Sequence, residues 1–249
     1  PPKDVKLKDP KDWTIAGKPL KRLDTADKLT GKQIYGVDLK LPGMLNAAIK
    51  DAPVFGAPIK SYDEAKVLGM PGVKKVVKVS PTSVAVVAET WWQAKKALDA
   101  LPIVYEATPN DSVTSAGIAE RLREGLDAKE AFVGNRNGDA PGAIAGAAKK
   151  VEAVYSTPFL HHATMEPMNC TALYTKDKCE VWCPTQNGEG SLAAASEASG
   201  LPLDKCEVYK MPPGGGFGRR GRQDYVTQAV TIAKQMPGTP IKLIWSREE

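Results

Sequence analysis

Two kinds of periodicity in the apolar positions predict the elements of the first half of the chain. Valine-rich runs on either side of a Pro-Thr turn are typical of a β-hairpin. Thr90 is a suitable N-cap for a helix, because apolar residues follow it at helical spacing. The predicted elements are a strand at 43–50, a short helix at 61–72, hairpin strands at 72–79 and 83–88, a helix at 90–101 and a strand at 102–106. Strands and helices mixed in this way within residues 21–107 indicate an α+β domain.

The second half of the chain continues after a polar interval. An amphipathic helix is predicted over 115–126, and the Gly/Asn/Pro-rich segment 133–146 is expected to cross the surface as a linker. The elements predicted beyond it are strands at 150–157, 169–175, 179–185 and 205–211, a helix at 191–199 ended by Gly200, a helix from Tyr225 to Met236, and a last apolar strand in IKLIWSREE with nothing after it to cover it.

These patterns divide the chain into four parts. Residues 1–20 are expected to form an extended tail, 21–107 a first domain, 108–148 a helix with a linker, and 149–249 a second domain. A length of 249 residues is sufficient for two domains that each have a hydrophobic core.

The composition is that of an ordinary globular protein. Apolar residues make up 42% of the chain and charged residues 25%, and no apolar run approaches the roughly 20 residues that span a bilayer. The start is polar, lacks the apolar segment of a signal peptide and has no initiator Met, so we expect a processed or truncated piece. The net charge of +5 is a mild excess that does not indicate a nucleic-acid partner.

The cysteines carry little chemical information. They occupy positions 170, 179, 183 and 206, and their spacing lacks the C-x₂-C pairs of common zinc and redox sites. No metal held by protein side chains is therefore expected. We expect the cysteines to pack as small hydrophobic residues, and an oxidising compartment would allow one disulfide.

The strongest candidate for a binding site is the segment MPPGGGFGRRGRQDY, residues 211–225. A predicted strand precedes its glycines and a predicted helix follows them, and glycines let backbone N–H groups approach an anion. The segment has neither a Walker pattern nor a dinucleotide fingerprint in register with the helix. Arg219, Arg220 and Arg222 oppose the helix macrodipole unless a bound anion or nearby carboxylates offset them. A tight glycine turn with solvated arginines is the alternative interpretation.

Two further polar positions precede this loop. His161 and His162 are adjacent and are the only histidines in the chain, so they support no metalloprotease motif or catalytic triad. A structural role is the simpler interpretation for them. Gln186 lies between a predicted strand end and a predicted helix start, where its amide can hydrogen-bond an oxo group without adding charge.

Three motifs, in this order, resemble a known family: HATMEPMNCTA at 162–172, WCPTQ at 182–186 and GGGFGRR at 214–220. They are similar to motifs of the molybdenum-cofactor subunit of the xanthine oxidase family, in particular its branch of isoquinoline 1-oxidoreductase beta subunits and membrane-bound aldehyde dehydrogenases. Residues 22–45 and 71–77 resemble that family's a/b hammerhead domain. The resemblance implies an α+β chain in which a hammerhead domain precedes the first part of a molybdopterin-binding α/β domain.

The resemblance also implies a site for a molybdenum-pterin cofactor, including its cytosine dinucleotide form. The pterin rather than the protein holds the metal, and the glutamine of the Thr-Gln motif approaches an oxo ligand. The implied cofactor-binding residues are Gln186, Gly215, Gly216, Phe217, Gly218 and Arg219. The catalytic base of the family, a Glu, is expected beyond the end of this chain, so no catalytic residue is assigned and the fragment alone is expected to be inactive.

The implied activity is oxidation of an aldehyde or an N-heterocycle with oxygen derived from water. Relatives that oxidise purines have an acidic residue where this chain has Gly221, so a purine is not the expected substrate. The implied partners are the remainder of the large subunit or a second chain, an iron–sulfur subunit and a cytochrome c acceptor. The implied location is the periplasm or the periplasmic face of a membrane.

Two other functions are open on the residues alone. The glycine loop could serve a non-catalytic module that binds a nucleotide or another anion. Nucleic-acid binding through Arg219, Arg220 and Arg222 is disfavoured, because no exposed aromatic residues are expected among them and no nucleic-acid-binding fold is recognised.

Overall fold

A computed structural model describes residues 3–249. Its strands are β1 (Leu45–Asp51), β2 (Ile59–Tyr62), β3 (Val73–Lys78), β4 (Ser83–Ala88), β5 (Ile103–Tyr105), β6 (Asn169–Tyr174), β7 (Cys179–Cys183), β8 (Cys206–Lys210) and β9 (Ile241–Ile244). Its α-helices are α1 (Thr25–Leu29), α2 (Trp91–Ala100), α3 (Ser115–Leu126), α4 (Ala140–Ala145), α5 (Gly188–Ser199) and α6 (Asp224–Lys234). This mixture of strands and helices confirms the predicted α+β class.

One mixed sheet joins the two halves of the chain. Its strand order is β3-β4-β1-β9-β6-β7-β8, with β9 parallel to β1 and antiparallel to β6. The sheet therefore contains strands from both predicted domains, and the domain boundaries themselves stay predictions. The expectation that the last strand has nothing to cover it is wrong, because both its edges are paired and Ile241 and Leu243 are fully buried.

Helices cover both faces of this sheet. α2 packs against β1 and β4 on one face, whereas α6 packs against β6 and β9 on the other, with α5 beside it. Val84 and Val86 of β4 share a core with Leu98 of α2. Ala85 and Val87 belong to the other core, which surrounds α6. Because β4 is buried on both faces, its sequence is a continuous apolar run rather than an alternating one.

Several local predictions are confirmed. Thr90 caps α2, since its Oγ1 accepts from the Gln93 backbone N–H at 3.3 Å and Gln93 Oε1 accepts from the Thr90 N–H at 3.0 Å. β3 and β4 form the expected antiparallel hairpin. Gly200 ends α5 in the left-handed conformation, with φ 77°.

Two predicted elements are wrong. The predicted helix at 61–72 is replaced by the end of β2 and a 3-10 turn at Glu64–Lys66, because Tyr62 pairs with Ile103 of β5 in a separate two-stranded sheet. The predicted strand at 150–157 is irregular and exposed. Both edges of β6, the strand that follows it in sequence, are already occupied by β7 and β9.

The polar segments contain more local structure than expected. The linker at 133–146 includes α4, whose first turn is capped by Asp139 Oδ1 accepting from the Gly142 N–H at 3.1 Å. The described part of the tail, 3–20, is exposed and includes a 3-10 turn at Pro10–Asp12, and residues 1–2 lie outside the described range. None of the helices within residues 3–249 has the length and apolar character needed to cross a bilayer.

The four cysteines pack as small apolar side chains, as predicted. All are free thiols; Cys170, Cys179 and Cys183 are fully buried in the core around α6, and Cys206 packs partly buried against it. Burial raises the pKa of the Cys179 thiol to about 12. Burial, together with the neighbouring Cys183 thiol, raises the pKa of Cys170 well above its ordinary value.

Alkylation should distinguish these thiols. A thiol reacts when it is exposed and ionised, so iodoacetamide at about pH 8 should modify Cys206 in the folded protein and leave Cys170 and Cys179 unmodified. Raising the pH to about 10 should not label Cys179, because a pKa of about 12 keeps it protonated. Peptide mass spectrometry measures the labelling, with urea-unfolded protein as the fully reactive control. Rapid labelling of Cys179 in folded protein would contradict the expectation.

Candidate functional site

Two parallel strands place the candidate residues at one edge of the sheet. β7 pairs with β8 in parallel, with Cys183 opposite Lys210. Gln186 follows β7, and the glycine loop, residues 211–218, follows β8. Ligand sites in layered α/β structures form where parallel strands end together. The pairing therefore brings the two predicted site segments to one place.

Gln186 lies against the glycine loop. Its backbone N–H donates to the Arg220 carbonyl at 3.1 Å. Its side chain fills the space beside Gly216, where an added Cβ would be 2.6 Å from Gln186 Oε1. A Cβ at 216 would therefore force the Gln186 amide to move, whereas Gly216 has no positive φ angle that would itself favour glycine.

The turn that carries Gln186 is fixed by the residues on either side of it. The buried Thr185 hydroxyl donates to the Asn187 carbonyl at 3.0 Å, and it accepts from the Asn187 N–H at 3.0 Å and from Ser191 Oγ at 2.9 Å. Asn187 Oδ1 caps α5 by accepting from the Gly190 N–H at 2.9 Å. Gln186 itself is exposed, so its side chain faces solvent from a rigid turn.

The glycine loop has a left-handed backbone at three positions. The φ angles are 100° at Gly215, 51° at Phe217 and 87° at Gly218. A phenylalanine in this conformation is an outlier that costs of order 1–3 kcal/mol and is typically found at functional sites. The Phe217 ring is also 73% exposed, so burial of the ring does not explain its position.

The backbone N–H groups of this loop are free to bind a ligand. Within residues 3–249, none of the four N–H groups from Gly215 to Gly218 donates to another residue. Successive free N–H groups in a left-handed turn form a concave donor surface suited to anions and other acceptors. This donor surface and the Gln186 amide lie side by side.

A buried ion pair lies beneath the loop. Arg220 Nη2 donates to Glu166 Oε2 at 3.1 Å, and the two side chains are 0% and 5% exposed. Glu166 Oε2 also accepts from the Gly214 N–H at 2.8 Å, and Oε1 accepts from the Val37 N–H at 3.0 Å. Arg220 Nε donates to the Gly215 carbonyl at 2.7 Å. The pair therefore holds the first two glycines of the loop.

Arg220 also reaches the segment that carries Gln186. Its Nη1 donates to the Pro184 carbonyl at 3.4 Å, and the Tyr225 hydroxyl donates to the same carbonyl at 3.2 Å. Burial lowers the pKa of Arg220, while the Glu166 carboxylate acts in the opposite direction. Arginine remains a cation in proteins, so the pair is ionic.

Carboxylates contact two of the three arginines. Glu166 neutralises Arg220, and Asp224 at the start of α6 accepts from Arg219 at 3.1 and 2.7 Å. The Arg219 guanidinium also lies 5.0 Å from the centre of the Trp245 ring. Nearby carboxylates therefore offset the macrodipole at two positions, whereas Arg222 is exposed. Arg219 was expected to contact the cofactor, and its guanidinium is already engaged by Asp224.

Sequence reasoning missed the ion pair. The motifs do not distinguish Arg220 from Arg219 and Arg222, although Arg220 is the buried one, and they assign no partner to Glu166. A usable signal was that Glu166 is the only acid in the segment 161–169, which leads into β6. His161 and His162 are exposed and border an open cleft beside Trp245.

The arrangement can hold a polar or anionic group. The contacts described leave no unpaired carboxylate among them that could act as a base. The arrangement presents four N–H donors and one neutral amide. The two carboxylates in contact with the loop arginines, Glu166 and Asp224, are each paired. Among residues 3–249, no group of three or more His, Cys, Asp or Glu side chains is placed to hold a metal ion.

Known proteins with similar sequences cover most of this chain. It is 30% identical, over 94% of its length, to membrane-bound aldehyde dehydrogenase (pyrroloquinoline-quinone) of Gluconacetobacter polyoxogenes. It is 27% identical, over 98% of its length, to isoquinoline 1-oxidoreductase subunit beta of Brevundimonas diminuta. The chain spans 31% and 32% of the lengths of these two proteins.

A solved structure has the same fold, and a family model matches the part of the chain that carries the site. Quinoline 2-oxidoreductase from Pseudomonas putida 86 aligns with a TM-score of 0.72 at 24% identity, over 93% of this chain and 34% of that one. The family model described as molybdopterin cofactor-binding domain matches residues 125–249, half of the chain. The chain therefore belongs to the molybdopterin cofactor-binding domain family.

Proposed function

We propose that this chain holds a molybdenum-pterin cofactor within a molybdenum hydroxylase large subunit that oxidises an aldehyde or an N-heterocycle. The observation that carries the proposal is the packing of the Gln186 side chain beside Gly216, next to four free N–H groups. A neutral amide and backbone donors suit a cofactor with an oxo group and an anionic part.

The residues present fit this cofactor. A pterin that supplies its own sulfur ligands needs no protein metal ligands, and it needs room for close approach to the backbone. The loop provides that room, because side chains are absent at three of the four positions from Gly215 to Gly218. When bound, the cofactor supplies two-electron oxidation chemistry with oxygen from water.

The roles of the chain's own residues follow from their geometry. The N–H groups from Gly215 to Gly218 would bind acceptor atoms of the cofactor. The Gln186 amide would donate a hydrogen bond to an oxo group from its rigid turn. Phe217 exposes its ring beside these donors, which suits contact with a flat apolar substrate or with the cofactor itself.

An aldehyde or an N-heterocycle is the substrate class that these features favour. The three related proteins above are named for an aldehyde, for isoquinoline and for quinoline. Gly221 has no acidic side chain that could bind a purine. The position has room for a side chain, because a Cβ there would meet no atom within 4 Å. The absence of an acidic side chain at this open position supports a substrate without purine-like hydrogen bonding.

The proposed assembly extends beyond this chain. The name of the Brevundimonas diminuta relative, a beta subunit, supports a separate partner chain. We propose an iron–sulfur subunit as that partner, a cytochrome c as the electron acceptor and the cytosine dinucleotide form of the pterin. We also propose a location at the periplasmic face of a membrane; the name of the Gluconacetobacter polyoxogenes relative, which is membrane-bound, supports only the membrane in this proposal.

Analysis of bound material tests the cofactor proposal. Protein purified from its native source should contain molybdenum and an extractable pterin in about equal amounts, measured by elemental mass spectrometry and by fluorescence of the oxidised pterin. A bound nucleotide without pterin would instead support the non-catalytic module. Extracted pyrroloquinoline quinone without molybdenum would also refute the proposal.

Substitution of Gly216 by alanine tests the close approach. The new Cβ would lie 2.6 Å from Gln186 Oε1 and would displace the amide or the loop, so molybdenum content should fall by about tenfold. Gly221→Ala, in the 3-10 turn that follows the loop, is the matched control, because its Cβ meets no atom within 4 Å. Equal metal content in the two variants would argue against a cofactor beside Gly216.

Substitution of Gln186 by alanine tests the hydrogen bond. A bond worth about 1 kcal/mol corresponds to a loss of about fivefold in kcat of the complete enzyme. The thermal unfolding temperature should not change, because Gln186 is exposed and contributes little packing. Gln235→Ala, at an exposed position after α6, is the control. Unchanged kcat in the Gln186→Ala enzyme would remove the proposed role.

A further inference from the structure

The proposed function makes no use of the two buried charges beneath the loop. Between them, Glu166 and Arg220 contact every segment from which the proposed site is built. Glu166 holds the Gly214 N–H, and Arg220 holds the carbonyls of Gly215 and Pro184. Pro184 lies two residues before Gln186, so one guanidinium bridges the glycine loop and the segment leading to Gln186.

The Arg220 main chain adds a second connection. Its carbonyl accepts from the Gln186 N–H at 3.1 Å while its side chain holds Pro184. Arg220 Nη2 also donates to the Glu166 carbonyl at 2.7 Å, so the pair is linked through both side chain and backbone. Movement of Arg220 would therefore shift Gln186 and the loop together.

Stability alone gives a weak reason for such a pair. Removing two charges from water is costly, and replacing a buried ion pair by apolar side chains of similar size is often neutral or stabilising. Charged groups that are held in place by several hydrogen bonds instead favour one geometry over others. Here the geometry that they favour is the one in which Gln186 faces the free N–H groups.

We infer that Glu166 and Arg220 are positioning residues that set the glycine loop and Gln186 in the arrangement that binds the cofactor. They act through Gly214, Gly215 and Pro184 and do not touch the bound group themselves. The inference rests on the proposed function, since it concerns the same site. Its specific content is that loss of the pair loosens cofactor binding without unfolding the sheet.

The test uses the complete enzyme with the double variant E166Q/R220M, which removes both charges and so avoids leaving one unpaired. The circular dichroism spectrum should match that of the wild type, and molybdenum and pterin per folded polypeptide should fall by about tenfold. The Mo(V) electron paramagnetic resonance spectrum of any metal that remains should change. R220K, which keeps the charge but cannot reach all the carbonyls, should lie between the wild type and the double variant.

Leu98→Ala is the control for general loss of stability. Leu98 is 1% exposed in the core between α2 and β4, away from the glycine loop. This variant should lose thermal stability but keep wild-type molybdenum content per folded protein.

The outcomes separate the two hypotheses. Wild-type protein without molybdenum would refute the proposed function itself. A loaded wild type with an equally loaded double variant, and an unchanged Mo(V) spectrum, would refute the positioning role alone. Equal metal loss in Leu98→Ala and the double variant would also refute it, because the effect would then follow from general destabilisation.

Discussion

The parallel pairing of β7 with β8 is the constraint on which the rest of the site depends. It ends two strands at the same edge, so that a turn from one and a loop from the other must meet there. α5 connects the two strands and packs beside α6, which follows the loop. The site is therefore an edge of the sheet with a helix behind each of its two segments. Hydrogen bonds, rather than the walls of an enclosed cavity, fix the positions of its residues.

The sheet extends this constraint to the N-terminal half of the chain. β9, close to the C-terminal end, inserts between β1 and β6, and Lys242 on β9 donates to the Val37 carbonyl. The Val37 N–H in turn donates to Glu166 beneath the glycine loop. One residue of the first half, Val37, is thus held through its N–H and its carbonyl by two buried charges of the second half. Burial lowers the pKa of Lys242.

Local patterns predicted the elements that depend on neighbours in sequence. The cap at Thr90, the β3–β4 hairpin and the glycine that ends α5 are decided within a few residues, and each is confirmed. The predicted helix at 61–72 and the predicted strand at 150–157 were wrong, because strand pairing between segments distant in sequence decides the structure there. The central position of β9 was not predictable for the same reason, since its neighbours β1 and β6 lie far away along the chain.

The site residues also differ in whether the sequence alone could predict them. The resemblance to family motifs proposed Gln186, Phe217 and the glycines for the site, and their binding of the cofactor stays a prediction. Which of Arg219, Arg220 and Arg222 turns inward could not be assigned, because three arginines within four positions offer identical chemistry. The choice depends on where a carboxylate lies, and Glu166 precedes Arg220 by 54 positions. A buried acid and a buried base become recognisable as a pair only when the fold brings them together, and that fold places this pair beneath the residues proposed to bind the cofactor.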